Sequence, residues 1–201
     1  MTWHEPGIGL WHKGWYRFAR HLTSPNYGAR PEGASIDLLV VHSISLPPGQ
    51  FGGDQVQRLF TNTLNCEEDP WFGRLRGLEV SAHFYIQRRG ELWQFVSCDQ
   101  RAWHAGLSTF NGRDNCNDFS IGIELEGLEG DSFEFAQYET LSSLCTAIAQ
   151  RYPVTQIAGH EHVAPGRKYD PGSGFDWATL QRALGWPPPC FPSGVLEKPR
   201  A

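Results

Sequence analysis

Residues 160–170 read His-Glu-His-Val-Ala-Pro-Gly-Arg-Lys-Tyr-Asp, and Pro171 and Gly172 follow. The stretch carries two metal-ligand types, His160 and Asp170, and a cation, Lys168. Pro165 and Gly166 interrupt it and Pro171-Gly172 end it, so a constrained loop is expected rather than regular helix. Such a loop can hold an imidazole and a carboxylate rigidly, as a zinc site requires. Tetrahedral zinc with one open position takes three protein ligands, so a third must come from elsewhere. His42 is the best placed. It ends the run Ile36–His42, whose four consecutive branched apolar residues lie between Pro31-Glu32-Gly33 and Pro47-Pro48-Gly49 and predict a buried strand. His42 then stands where a strand opens into a loop, a usual place for chemistry on a rigid scaffold. Two imidazoles and one carboxylate bring a single negative charge, so zinc would stay net positive and could polarise a bound water.

Several elements must position these groups. Asp54–Leu64 reads as a short helix, with Val56, Leu59, Phe60 and Thr63 on one face. Val80–Gln87 alternates as a strand, and Arg89-Gly90 turns it into a hairpin with Glu91–Val96. In Ser120–Glu126, Ile121, Ile123 and Leu125 face a core while Gly122, Glu124 and Glu126 face the other side. Phe135–Tyr152 is the clearest helix, with Leu141, Leu144, Cys145 and Ile148 in one stripe and Pro153 after it. Thr155–Gly159 reads as a strand leading into His160, and Asp176–Leu184 as a final helix. Together they predict a single α/β domain, a mixed central sheet with packed helices.

Each candidate also has an ordinary structural reading. A strand-end histidine such as His42 is commonly a hydrogen-bonded core residue. Asp170 begins Asp-Pro-Gly, a common turn in which the aspartate accepts backbone N–H bonds. Glu124 and Glu126 share a face, where isolated carboxylates are usually solvated, although Gly122 and Gly127 would leave room for a substrate. His162 lies two residues from His160, and spacing alone does not choose between them. Trp103 reads equally as core or as cleft wall. Ser43 and Ser120 lack a Gly-x-Ser-x-Gly elbow, and Cys116 reads as a small packed residue.

Five segments in order carry a resemblance: Val40–Gly49, Val80–Phe84, Arg101–Gly106, Cys116–Gly127 and 159–172. Together they resemble the AmpD-type N-acetylmuramoyl-L-alanine amidases, within the zinc amidase and peptidoglycan-recognition-protein superfamily, from about Gly14 to about Leu184. The resemblance implies zinc held by His42, His160 and Asp170. It implies Glu124 as general base and Lys168 as oxyanion partner. Trp103 and His104 are then expected to wall a sugar or peptide, with Ser43 a further substrate contact and His83 structural or cleft-lining. Some relatives carry a basic residue before Val80, here Glu79, and an arginine where Asn115 stands. If those cations hold a peptide carboxylate, Arg113 is the expected substitute. The implied reaction cleaves the amide between 1,6-anhydro-N-acetylmuramic acid and L-alanine in muropeptides recovered from wall turnover.

Composition fits this reading. The chain has 201 residues, 40% hydrophobic and 19% charged, with net charge -5 and no basic cluster, so nucleic acid is not expected as a partner. No membrane-length apolar run occurs, and Met1–Lys13 lacks the basic and apolar regions of a secretory signal. Five scattered cysteines form no disulfide framework, so a cytoplasmic protein is expected; a monomer is expected too, though cysteine usage does not bear on it. Residues 1–13 read as an extension, 14–184 as the zinc amidase domain and 185–201 as a proline-rich irregular tail. The rivals are a non-catalytic peptidoglycan-binding module and an amidase acting on intact wall. Three filled ligand positions disfavour the first, and the absent signal disfavours the second.

Overall fold

The computed structural model describes residues 9–196. Six strands form the main sheet: β1 (Arg20–His21), β2 (Leu38–Ile44), β3 (Phe84–Ile86), β4 (Leu92–Gln94), β5 (Ser120–Glu126) and β6 (Gln156–Gly159). Their order across the sheet is β6-β2-β5-β3-β4-β1. The four strands β6, β2, β5 and β3 are parallel, β4 returns antiparallel to β3, and β1 runs parallel to β4. The helices are α1 (Gln55–Phe60), α2 (Phe135–Ala149), α3 (His160–Val163) and α4 (Trp177–Leu184). This is the mixed sheet with packed helices that the sequence predicts.

The apolar run of β2 follows from burial on both faces, the usual condition of parallel strands. On one face Leu39, Val41, Ile121, Ile123 and Leu125 meet Leu141, Leu144 and Ile148 of α2 and Leu180 of α4. On the other, Leu38, Val40 and Ala158 meet Ala105, Cys116, Phe119 and Val163. The solvated face expected for β5 is therefore absent, and all seven of its residues are buried.

Local signals set the helix ends. Glu134 N–H donates to Gln137 Oε1 at 3.0 Å, and Gln137 Nε2 donates on to the carbonyls of Ile86 and Glu126. That cap fixes the start of α2 to the ends of β3 and β5. Thr179 N–H donates to Asp176 Oδ1 at 2.9 Å, and Gly185, at φ 66°, closes α4.

Several elements are shorter than expected, among them the strand expected over Glu91–Val96, which spans Leu92–Gln94. The Asp54–Leu64 helix stops at Phe60 because Asn62 turns left-handed at φ 59° and the amides of Thr63 and Leu64 fold back onto the Arg58 carbonyl. The strand expected over Val80–Gln87 is regular only over Phe84–Ile86, because the Ser81 amide is taken by the Trp103 carbonyl. α2 ends at Ala149 instead of running to Tyr152.

Both flanks pack against the sheet domain. Trp11 pairs with Tyr16 in a small hairpin and meets the rings of Phe84 and Tyr152. In the proline-rich segment Phe191 is buried against Trp177.

Candidate metal centre

Sheet register brings the ligand types together. Val41 of β2 pairs with Gly159, the last residue of β6, so His160 lies beside His42, which does not end its strand as expected but precedes the last two residues of β2. Across the other edge of β2, His42 pairs with Glu124. These are carboxyl ends of parallel strands, where open α/β sheets commonly bind ligands.

The stretch after Gly159 corrects the expectation of a non-helical loop. Residues His160–Val163 form one helical turn, closed by Ala164 N–H donating to the His160 carbonyl, and Pro165 lets it go no further. The amides of Arg167 and Lys168 then return to the Ala164 carbonyl and turn the chain back toward Asp170. Residues two apart on a helix diverge by roughly 200°. His162 accordingly leaves the cluster: its Nδ1 accepts from Gly159 N–H at 3.0 Å and its ring packs edge-on against Trp177.

His42 Nδ1 lies 3.0 Å from His160 Nδ1, and Asp170 Oδ2 lies 3.2 Å from the first and 3.1 Å from the second. Their outer partners fix the protons. His160 Nε2 faces the Ala105 carbonyl at 3.1 Å; a carbonyl only accepts, so Nε2 carries the hydrogen. His104 Nε2 faces Ser120 Oγ, whose own hydrogen goes to the Cys116 carbonyl at 2.5 Å. His104 Nε2 is therefore a donor and its Nδ1 is bare, so His42 Nε2, 2.9 Å away, donates into it. Both inner Nδ1 atoms then present lone pairs toward each other and toward a carboxylate oxygen. Three such donors at 3.0–3.2 Å are placed to hold a cation between them. Donor edges in tetrahedral zinc with bonds of about 2.0–2.1 Å are roughly 3.3–3.4 Å, close to this triangle. The residues fit zinc.

Electrostatics agree. Burial first, then the neighbouring His160, hold the His42 imidazole down at about 4, so it is neutral at pH 7 as a ligand must be. Burial alone would raise the Asp170 carboxyl, but the close approach of His160 and His42 outweighs it and holds the carboxyl well below the carboxylate range. The carboxylate meets the two imidazoles; the backbone bond at this turn is made by the Asp170 carbonyl, which accepts from Glu161 N–H at 2.9 Å.

Glu124 and Glu126 are separated by their partners. Glu126 Oε1 accepts from Gly52 N–H at 2.5 Å and Oε2 from Arg88 N–H at 3.0 Å, so both oxygens brace loops. Glu124 faces the cleft with Oε2 buried and without a hydrogen-bond partner among the described residues. Burial pushes its carboxyl well above the usual range; Asp170 adds to this and Lys168 opposes it. Lys168 itself is exposed and lines the same cleft. The cleft holds about 350 Å³. Its polar end carries His42, His160, Asp170 and Glu124, and its apolar wing Leu46, Leu59, Phe60, Trp71, Leu75 and Leu78.

The family model described as N-acetylmuramoyl-L-alanine amidase matches residues 32–173. The chain is 49% identical to the 1,6-anhydro-N-acetylmuramyl-L-alanine amidase AmpD of Citrobacter freundii over 177 residues, covering 87% of this chain and 94% of the relative. The chain belongs to the N-acetylmuramoyl-L-alanine amidase family. A crystal structure of a selenomethionine derivative of AmpD superposes with a TM-score of 0.84 at 47% identity, over 86% of this chain and 98% of that one. AmiD from Escherichia coli, solved with the substrate anhydro-N-acetylmuramic acid-L-Ala-D-γ-Glu-L-Lys, gives a TM-score of 0.55 at 27% identity, over 78% and 61%.

In this amidase-family chain Ser43, Trp103 and His104 line the cleft. Arg113 does not: its guanidinium makes a two-pronged pair with Asp37 at 2.8 and 2.9 Å and lies over the Phe119 ring. The space beside Gly122 and Gly127 is not left for substrate. A Cβ on Gly122 would lie 2.4 Å from His104 Cγ, and one on Gly127 2.4 Å from Phe133 Cε1. Gly122→Ala is expected to destabilise by about 1–3 kcal/mol, as overpacking does, read from the denaturant midpoint. An unchanged midpoint would mean that the His104 ring moves freely. His83 is structural: its Nδ1 accepts from Gly122 N–H and its Nε2 donates to the Gln100 carbonyl. Burial holds it down at about 3.

One contributor carries no sequence signal. Arg167 donates to the Ala105 and Leu107 carbonyls at 2.6 Å each, tying the loop after α3 to the segment that orients His160. Its partners lie about sixty positions away, beyond the reach of motif or periodicity.

Proposed function

We propose that this chain is a zinc-dependent N-acetylmuramoyl-L-alanine amidase that hydrolyses the amide between 1,6-anhydro-N-acetylmuramic acid and L-alanine in small muropeptides. The observation that carries the reading is the triangle of bare donors, His42 Nδ1, His160 Nδ1 and Asp170 Oδ2, beside an unpartnered buried carboxylate, Glu124. The anhydro-muropeptide substrate in the AmiD complex supports the muropeptide assignment. Bound by those three donors, zinc would act as Lewis acid toward the scissile carbonyl and the attacking water.

The side chains do the rest. Glu124 Oε2 takes a proton from water as its oxygen adds to the carbonyl carbon. The Lys168 ammonium faces the oxygen that becomes negative and stabilises it. As the C–N bond breaks, Glu124 returns the proton to the departing L-alanine nitrogen. The apolar wing holds the less polar parts of the substrate, with Trp103 and Ser43 at its edge.

The test uses purified protein and a soluble anhydro-muropeptide, with products identified by mass. Free peptide and anhydro-N-acetylmuramic acid are expected, with about one zinc per chain. Chelation is expected to abolish turnover and zinc to restore it. Full activity in demonstrably metal-free protein would overturn the zinc assignment. No helix among the described residues is long and apolar enough to cross a membrane. A paired assay on intact sacculi separates the wall-lytic rival, for which the sacculi would be cleaved faster.

A further inference from the structure

Both metal-facing histidines are oriented by one short segment. His42 donates its Nε2–H to His104 Nδ1, and His160 donates its own to the carbonyl of the next residue, Ala105. One buried oxygen holds both amides of that segment, while Arg167 holds the Ala105 carbonyl. Asn117 Oδ1 accepts from His104 N–H at 3.1 Å and from Ala105 N–H at 2.8 Å. Asn117 is only 5% exposed and its own carbonyl takes the Arg30 guanidinium at 3.1 Å, so the staple is itself fixed. The His104 ring is held from the far side by Ser120, and Gly122 provides the space in which it lies.

We infer that Asn117 is the positioning residue of the metal centre: through the 104–105 segment it sets the orientation and inward lone pair of both His42 and His160. This rests on the zinc reading above but can be tested apart from it. Groups that orient ligating histidines through their second nitrogen typically change metal affinity by roughly 10- to 100-fold. Asn117 uses its side-chain oxygen for both bonds, so an aspartate can replace it and a leucine of similar volume cannot. His104→Phe removes the acceptor for His42 while keeping a ring above Gly122.

The experiment compares the full-length wild type with Asn117→Asp, Asn117→Leu and His104→Phe, each checked for folding by circular dichroism. Two quantities are measured. The first is zinc affinity, by competition with a chromogenic chelator. The second is the exchange protection of the imidazole Nε2–H protons of His42 and His160, by NMR on metal-free protein. Asn117→Leu is expected to weaken zinc by roughly 10- to 100-fold and expose both Nε2–H protons. Asn117→Asp is expected to retain affinity and protection. His104→Phe is expected to expose the His42 proton and leave that of His160 protected. If Asn117→Leu does not fold, His104→Phe and Asn117→Asp decide. Wild-type affinity and protection in Asn117→Leu, or loss of protection in Asn117→Asp, would overturn the inference. So would a protected His42 proton in His104→Phe. A wild type that binds no zinc would overturn the functional reading alone, because the proton readout needs no metal.

Discussion

Glu124→Gln is expected to lower turnover by roughly a hundredfold or more while zinc content stays at the wild-type level. The substitution keeps size and shape but removes the site that accepts and returns the proton. Glu124 is the only one of the two neighbouring glutamates with an unengaged oxygen among the described residues, since Glu126 gives both of its oxygens to backbone amides. Turnover at fixed substrate and metal analysis of the same sample check this together. Near-normal turnover would move the base elsewhere, and Glu126→Gln would then be tested, with a folding defect expected because one of the two loop amides loses its acceptor.

The same substitution is expected to stabilise the metal-free protein at neutral pH. Burial raises the Glu124 carboxyl above its unfolded value, so the folded state binds the proton more tightly. That contribution is fully present below the unfolded value near 4.5 and is lost as pH rises through the raised one. As pH rises from 4.5 wild type loses this contribution, whereas Glu124→Gln, which does not ionise, has none to lose. Denaturant midpoints across pH check the sign. A variant less stable than wild type at neutral pH would contradict it.

Much of this site is readable in the chain because its chemistry sits at strand ends. The run ending at His42 signals a buried strand, and the resemblance in five ordered segments singles out His160, Glu124 and Lys168 as the candidates. What the sequence hides is lateral. Periodicity gives Glu124 and Glu126 the same face, and only the loops at Gly52 and Arg88 tell them apart. Proline spacing suggests a loop after His160, yet one helical turn fits before Pro165 and turns His162 away. Gly122 looks like room for substrate, but a histidine eighteen positions earlier fills that room. Arg113, a plausible cation for a peptide carboxylate, is captured by Asp37, seventy-six positions distant. Apart from that local turn, the misses are contacts between segments remote in sequence, where neither propensity nor period carries information.

His160→Ala is expected to remove zinc and turnover together, and to make the loss of Glu124 invisible. One corner of the donor triangle disappears, leaving His42 Nδ1 and Asp170 Oδ2 at 3.2 Å, two ligands where a catalytic site takes three. Groups that act as a unit in one step are strongly non-additive. Adding Glu124→Gln to His160→Ala should therefore lower the residual rate by much less than the roughly hundredfold it costs alone. Lys168→Ala offers the contrast. Lys168 contacts no member of the triangle, so its variant should keep zinc and lose rate through the oxyanion. Residual single-turnover rates and bound zinc, measured on the single and double variants, decide the matter. A His160→Ala protein that retains zinc, or a double variant whose losses multiply in full, would mean that base and metal work at separate sites.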